Sequence, residues 1–420
     1  MTIPQIISLS IIIFIGVISF KKGTDLLSPA KVFLFVWAVC ILLVEFKFSG
    51  FQHQWSAFSW FVLLSGLLSF LLGIFIAYSL RVETKQFTVN EIRSRILTNK
   101  DFDRQRLFIT ISLLFFAYFV SLILEFIIEG YIPLFHPRPD RARIEFSVFG
   151  LHLFVSQMPA ILLLITEYFV LGSESSKKTV LAVLIFIITF FSYFLILQRF
   201  NYMYWLVMAI AVLYYASRKI NFRNTLIFSV LFFSFLGAIT TIRLSQYATQ
   251  YLHVVSKMKY SFEYASFSGP YMYIVMNLEN LARAVDKLEV HTYSIMTFDW
   301  LYALVGLKHW LKDYFHIIPR PHLISNYNTY PFLWEYYYDF GIAGIILLSM
   351  CTGLVIGLVY YYMRSRGTID GVVYYGICLF FIMISFFTNP ITFLNTISNM
   401  LVLWAVHRFF IYNPKSTNNL

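Results

Sequence analysis

Six arginines stand in or beside short polar segments of an otherwise apolar chain: Arg138, Arg141, Arg143, Arg199, Arg243 and Arg320. An arginine side chain stays charged, and its planar guanidinium group matches phosphate oxygens through two parallel hydrogen bonds. Each charge-assisted bond contributes about 1.5–3 kcal/mol. Two or three such side chains are therefore enough to hold a diphosphate without a metal ion.

Two of these arginines, Arg138 and Arg320, each lie between two prolines. Proline fixes its own φ angle and biases the preceding residue towards extended backbone. An arginine in this context is predicted to lie on a stiffened segment that loses little entropy when it binds a ligand.

Ion pairing is the alternative explanation for these charges. Arg141 and Glu145 are four residues apart, which is the spacing of facing side chains on a helix, and Glu279 and Arg283 share it. The turn around Arg199 contains no acidic residue. We therefore favour ligand binding for Arg199 and for the arginines of residues 138–143.

A proton acceptor is predicted beside the second Pro-Arg-Pro segment. His322 follows Arg320 by two residues, and an imidazole that is neutral near pH 7 can remove a proton from a hydroxyl. Metal binding is disfavoured, because the chain has no His-Glu-x-x-His motif and Asp101-Phe-Asp103 lies in a loop of mixed charge. We expect neither a metal nor another cofactor.

The elements that must position these residues are membrane-spanning helices. Of 420 residues, 59% are hydrophobic and only 13% are charged, against about 25% charged in a soluble domain. A membrane-spanning helix needs about 20 apolar residues. By this criterion the sequence predicts an all-α polytopic membrane protein with about 11 transmembrane helices. The predicted spans are 3–20, 28–46, 57–80, 107–128, 150–172, 179–197, 201–217, 224–242, 337–362, 372–388 and 392–411.

Three consecutive segments are predicted from this pattern. Residues 1–242 form a bundle of about eight spans with an outer arginine-rich loop at 129–149, residues 243–336 form a large helical extracytoplasmic loop, and residues 337–420 contain about three spans. Within the large loop, residues 277–290 predict an amphipathic helix whose polar face carries Glu279 and Asp286. The distribution of Lys and Arg predicts an N-terminus outside and a C-terminus in the cytoplasm. The net charge of +11 then lies on the cytoplasmic side and indicates no nucleic-acid partner.

Several motifs together resemble the bacterial oligosaccharide repeat-unit polymerases, the Wzy-type O-antigen and capsule polymerases. They are Tyr131-Ile-Pro-Leu-Phe before the arginine-rich segment, Gln198-Arg199-Phe200 before a span, Asn326-Tyr-Asn-Thr-Tyr330, and Tyr338-Asp-Phe-Gly-xx-Gly344. The resemblance covers most of residues 107–390. The Arg-x10-Gly pattern of some members is missing at Arg138, Arg141, Arg143 and Arg320.

This resemblance implies a GT-C-like glycosyltransferase in the bacterial inner membrane. Such enzymes take an oligosaccharide from undecaprenyl pyrophosphate on the outer face and transfer it, without a metal, to a hydroxyl of an incoming repeat unit of lipopolysaccharide O-antigen or capsule. On this basis the six arginines are predicted to bind the pyrophosphate. His322 is the predicted base, with Glu145 and Asp339 as alternatives. Asn328, Tyr330 and Tyr338 are the predicted sugar contacts, beside an aromatic belt at 334–338.

Three alternatives remain open. An O-antigen ligase uses the same donor, and the residues barely distinguish the two enzymes. A transporter or flippase for lipid-linked oligosaccharide predicts charged residues deep within spans and inverted repeats. The protein could also be a non-catalytic subunit that binds a chain-length regulator protein, but this function leaves the outer arginines unexplained. If the protein is a polymerase, a chain-length regulator is also a possible partner.

Overall fold

A computed structural model describes residues 2–19, 21, 24–98, 102–172, 175–217, 248–310, 324 and 327–411. Within these residues the protein is all-helical, as the sequence predicts. Ten of the eleven predicted spans coincide with helices, and the predicted span 224–242 lies outside the described residues.

The α-helices of the described residues are numbered in chain order. They are α1 (Ile3–Ser19), α2 (Pro29–Glu45), α3 (Ala57–Arg81), α4 (Val89–Thr98), α5 (Arg104–Glu129), α6 (Pro139–Glu145), α7 (Leu151–Val155), α8 (Met158–Leu171), α9 (Ser176–Phe194), α10 (Phe200–Ala216), α11 (Ala248–Val255), α12 (Ser268–Lys287), α13 (Asp299–Leu304), α14 (Leu307–Trp310), α15 (Leu333–Arg366), α16 (Ile369–Ile384) and α17 (Leu394–Ala405). Short 3-10 turns cover Pro133–Phe135, Phe262–Phe267 and Pro390–Thr392, and a π-helical turn, Val406–Ile411, follows α17.

Five helical segments among the described residues are long and apolar enough to cross a membrane. They are Ala57–Arg81, Arg104–Glu129, Leu151–Leu171, Ser176–Phe194 and Leu333–Arg366. On α5, Leu113, Phe116 and Ile127 are 64%, 67% and 69% exposed. Large exposed apolar faces of this kind suit lipid better than water. The protein is therefore compatible with a multi-pass membrane protein.

The chain divides into two compact units. The first unit contains residues 1–86, 246–365 and 378–396, and the second contains residues 87–245, 366–377 and 397–420. The predicted division into 1–242, 243–336 and 337–420 concerns the order of membrane spans and loops along the chain, whereas the two units are defined by contacts between residues. The predicted division therefore stays a prediction.

Aromatic side chains form the centre of the first unit. The rings of Phe33 and Phe70 stack at 4.0 Å, and Phe332 meets Trp37 at 6.1 Å and Phe381 at 5.4 Å. All five side chains are buried. Edge and offset contacts of this kind add stability beyond the area that they bury.

Glycines bring α3 and α15 of the first unit into close contact. A Cβ atom at Gly73 would lie 2.1 Å from Met350 O, and one at Gly353 would lie 2.0 Å from Phe70 O. Small residues at such crossings allow the backbones of neighbouring helices to approach, a common feature of helix packing in membranes.

Helix α8 is the core of the second unit. Every residue from Met158 to Tyr168 is buried, Glu167 included. The carboxylate of Glu167 lies 3.4 Å from His407 Nε2, and both side chains are fully buried. An ionisable pair is thus enclosed among apolar helices, where an ionisable side chain is costly.

Candidate functional site

The candidate site lies in the second unit, in the segment between α5 and α7, which we call the arginine loop (residues 131–150). Helix α5 ends at Glu129, and Gly130 follows with a left-handed φ of 75° that turns the chain. Pro139 occupies the first turn of α6, where its missing N–H would have no helical partner. Arg138 therefore stands at the N-terminal end of a helix, and not within a purely extended segment as the two prolines suggested.

Aromatic contacts fasten the arginine loop to the end of α5. The ring of Phe146 lies 5.4 Å from that of Phe126 and 5.9 Å from that of Tyr131. The Tyr131 hydroxyl donates a hydrogen bond to Ala142 O at 3.3 Å. Burial, with the negative charges of Glu129 and Glu145, raises the pKa of Tyr131, so this hydroxyl keeps its proton.

The loop presents two of its arginines to solvent. Arg138 and Arg141, three residues apart, are both exposed, and neither forms an ion pair with another residue that the structure describes. The pairing of Arg141 with Glu145 that the sequence allowed does not form, and Glu145 is itself exposed. Arg143 is half-buried. Positive charge is thus available to a ligand at this end of the unit.

Arg199 lies on the turn that the arginine loop contacts. Leu134 N donates a hydrogen bond of 3.0 Å to Leu195 O, which joins the loop to the turn between α9 and α10. Arg199 is half-buried and immediately precedes α10. Beside it, Gln198 Oε1 accepts a 2.6 Å hydrogen bond from Tyr193, which holds the turn in place. This hydrogen bond joins the arginine loop to the turn that carries Arg199, and a shared anion site of Arg138, Arg141, Arg143 and Arg199 stays a prediction.

A histidine–carboxylate pair, which the sequence analysis did not single out, lies at the base of the same loop. His152 Nδ1 donates to Glu125 at 3.1 Å and 3.2 Å, since a carboxylate can only accept. Glu125 Oε1 also accepts from Val148 N at 3.2 Å and is fully buried, whereas 15% of the His152 side chain remains accessible. The available signal was an acidic residue inside a predicted span, followed by a histidine at the start of the next.

Three of the predicted site residues lie outside the described residues: Arg243, Arg320 and His322. Glu145, the first alternative base, is exposed on α6 of the second unit. The second alternative, Asp339, belongs to the first unit.

Asp339 is enclosed by hydrogen-bond donors. Its Oδ1 accepts from Thr292 Oγ1 at 2.5 Å and from Met296 N at 3.1 Å, and its Oδ2 accepts from Thr297 N at 2.7 Å. The side chain has no exposed surface. This arrangement is typical of a carboxylate that holds a loop, and it leaves no approach for an acceptor hydroxyl.

The Tyr-Asp-Phe-Gly-xx-Gly motif accordingly forms a structural joint in α15. Gly341 interrupts the helix with φ 60° and ψ −143°, and a Cβ atom there would lie 3.0 Å from His291 Nε2. A Cβ atom at Gly344 would lie 2.2 Å from Tyr336 O. Both glycines are therefore needed for the backbone path at this joint.

The predicted sugar contacts are distributed between surface and core of the first unit. Asn328 is exposed and Tyr330 is half-buried, but Tyr338 is buried. The rings of Tyr330 and Trp334 stack at 4.5 Å, and those of Trp334 and Tyr338 meet at 4.6 Å. The aromatic belt at 334–338 is therefore part of the core, so only Asn328 and Tyr330 retain surface for a sugar.

A second unpredicted group lies on α12 of the first unit. Glu279, expected on an exposed polar face, is fully buried and accepts a 2.9 Å hydrogen bond from Trp55 Nε1. His53 Nδ1 lies 3.4 Å from its other oxygen, and 46% of the His53 side chain is exposed. Burial raises the pKa of Glu279 to about 7, although the charges of Arg283 and Lys47 lower it. This carboxyl group therefore titrates near neutral pH.

Asp103 of the Asp-x-Asp tripeptide caps a helix. Its side chain accepts a hydrogen bond from Arg106 N at 3.0 Å and pairs with Arg106 Nε at 3.1 Å. Capping by aspartate satisfies backbone donors at a helix start. Across the described ranges, no group of three or more His, Cys, Asp or Glu side chains is arranged to hold a metal ion.

No family model matches this chain, and neither does a curated protein or a solved structure. The motifs that resemble the repeat-unit polymerases remain a resemblance.

Proposed function

We propose that this protein is a membrane glycosyltransferase that polymerises oligosaccharide repeat units carried on undecaprenyl pyrophosphate. One observation carries the proposal. The 3.0 Å hydrogen bond from Leu134 to Leu195 joins the loop that carries three of the arginines to the turn that carries Arg199. A pyrophosphate is the ligand that such a group of guanidinium side chains fits best.

The arginines have a direct task in such a transfer. The bond between the anomeric carbon and the pyrophosphate oxygen breaks, and negative charge develops on that oxygen. Guanidinium groups placed at this oxygen stabilise the transition state more than the ground state. Arg138 and Arg141 are exposed and can reach such an oxygen, while Arg143 and Arg199 are half-buried.

The membrane arrangement belongs to the same proposal. About 11 spans and a GT-C-like fold, with the N-terminus outside and the C-terminus in the cytoplasm, would place the arginine loop on the outer face of the bacterial inner membrane. Arginine is disfavoured on that side by the positive-inside rule, and an anionic substrate explains its presence there. The five long apolar helices support a multi-pass arrangement.

A transport function is the second candidate, and the enclosed Glu167–His407 pair favours it. Ionisable residues buried among membrane helices often carry protons in transporters. The pair lies on α8 and on the π-helical turn after α17, and π-helical turns frequently mark functional positions. A proton-coupled flippase for the same lipid-linked oligosaccharide would use such a pair.

The test is an electrophoretic profile of surface polysaccharide, together with lipid-linked oligosaccharide, from cells that lack the protein. We expect the long-chain ladder to disappear and single repeats to remain on the surface. Loss of all capped lipid-A core, with polymer left on the lipid carrier, would identify a ligase. Retention of lipid-linked units on the cytoplasmic side would identify a transporter. An unchanged profile would contradict all three functions.

A further inference from the structure

The Glu125–His152 pair has the geometry of an oriented base. Glu125 comes from the last two turns of α5, and His152 from the first turn of α7, directly after the arginine loop. The carboxylate holds Nδ1 of the imidazole at 3.1 Å and 3.2 Å. Because Nδ1 carries the proton that this contact needs, the lone pair of the neutral ring is at Nε2.

The pair and the arginines share one anchor. Phe126 packs against Phe146 at the end of α6, and the adjacent Glu125 binds both Val148 N and His152. The same two turns of α5 therefore fix the end of the arginine-bearing helix and the orientation of the imidazole. A buried carboxylate that orients a partly accessible histidine is the arrangement by which enzymes fix the tautomer of a catalytic base.

We infer that His152 is the base that accepts the proton of the acceptor sugar hydroxyl, and that Glu125 positions it. This inference rests on the proposed function. Nε2 of His152 takes the hydroxyl proton, and the oxygen electron pair forms the new bond to the anomeric carbon of the donor. The bond from that carbon to the pyrophosphate oxygen breaks, and its electrons leave with undecaprenyl pyrophosphate. The accepted proton remains on Nε2, and the carboxylate of Glu125, which faces Nδ1, stabilises the resulting imidazolium.

Other groups near the pair do not meet the same requirements. Tyr193 of α9 is close enough to interact with Glu125 but is buried and hydrogen-bonded to Gln198. Glu129, one turn further along α5, and Glu145 on α6 lie near Tyr131. None of these side chains combines an accessible acceptor atom with a buried carboxylate that fixes its orientation.

The experiment measures release of undecaprenyl pyrophosphate by the purified full-length protein in proteoliposomes. The substrate is the lipid-linked repeat unit extracted from membranes of the deletion strain. We expect His152→Gln to lower kcat by about 10²- to 10⁴-fold, the usual contribution of a general base, with KM for the lipid-linked donor unchanged. Glu125→Gln, which keeps an acceptor for Nδ1, should lower kcat at least tenfold with the same KM.

Two further variants separate catalysis from folding. Imidazole added to His152→Gly should restore part of the rate, which a purely structural histidine would not allow. Glu129→Gln, on the same helix, is the matched control and should turn over at the wild-type rate. Wild-type kcat in His152→Gln, a change in KM alone, or an unrescued His152→Gly would overturn the inference. No release by the wild-type protein would instead contradict the proposed function.

Discussion

Two histidine–carboxylate pairs in the second unit differ in ways that matter for their chemistry. In the Glu125–His152 pair, the carboxylate also accepts from Val148 N, and the imidazole keeps 15% of its surface accessible. In the Glu167–His407 pair, neither side chain has accessible surface, and the closest approach is 3.4 Å. No oxygen of Glu167 accepts a hydrogen bond from another residue that the structure describes.

This difference shows that burial alone does not identify a reactive pair. In an enclosed pair, the attraction between the two side chains is all that offsets the cost of removing them from water. The loss of either side chain is therefore strongly destabilising. A pair with additional donors and an open imidazole can exchange a proton with a substrate while its orientation stays fixed. We therefore assign a structural or proton-carrying role to Glu167–His407 and a chemical role to Glu125–His152.

The largest effect on stability is expected at the enclosed pair. His407→Leu leaves the Glu167 carboxylate buried without its partner, which typically costs about 3–5 kcal/mol. The double variant Glu167→Leu/His407→Leu removes both ionisable groups and should recover most of that loss. Thermal unfolding in detergent measures both, with His152→Gln as the matched control. Equal destabilisation by His407→Leu and His152→Gln would remove the distinction between the pairs.

A smaller loss of stability is expected at Asp339. In Asp339→Asn, an amide NH₂ replaces one of the two carboxylate oxygens that accept hydrogen bonds in the wild type. At least one buried donor then loses its acceptor, which usually costs about 1–3 kcal/mol. Thr292→Val removes one donor only and should cost less. Both variants should retain the polysaccharide ladder. A variant at position 339 that unfolds like the wild type but makes no polymer would show Asp339 to be the base, as the sequence analysis allowed.

Glu279 should make stability depend on pH. Its pKa in the folded protein is raised to about 7 from 4.5, so the folded state binds more protons than the unfolded state between these values. The protonated Glu279 side chain therefore makes its full contribution to the free energy of unfolding below about pH 4.5, and this contribution is lost as the pH rises through about 7. Each pKa unit corresponds to about 1.4 kcal/mol, so a rise of the pKa from 4.5 to about 7 should make Glu279→Gln more stable than the wild type at pH 8 by roughly 3 kcal/mol.

The measurement for Glu279 is thermal unfolding at pH 5 and pH 8. Glu279→Gln should differ from the wild type much less at pH 5 than at pH 8. Glu289→Gln, at an exposed position just after α12, is the control and should follow the wild type at both. A difference at position 279 that is the same at both pH values would show that the carboxyl group does not titrate in this range.

The helical class and most helix positions could be predicted because apolar length is a local property. The predicted span 57–80 is observed as Ala57–Arg81, and 179–197 as Ser176–Phe194. Chain order and apolar length were sufficient for these helices. A shared anion site of Arg199 and residues 138–143 was also predicted, and it stays a prediction.

Burial of polar groups could not be predicted in the same way. Glu279 lies on the polar side of its helix, but residues 53–55, more than two hundred positions earlier, cover it through Trp55 and His53. The tyrosines of 336–338 were predicted to be a surface belt and are core residues, because α15 packs that segment inside the first unit. Such contacts join distant parts of the chain, and no local pattern encodes them.

The central claim is that arginines of the loop hold the departing pyrophosphate. Its most direct test is undecaprenyl pyrophosphate release by Arg138→Ala/Arg141→Ala in proteoliposomes, with Arg408→Ala, an exposed arginine of the same unit, as the control. Each lost charge-assisted bond should lower kcat/KM by roughly ten- to a hundredfold, so the double variant should be nearly inactive while the control is unaffected. Release at the wild-type rate by the double variant would contradict the account.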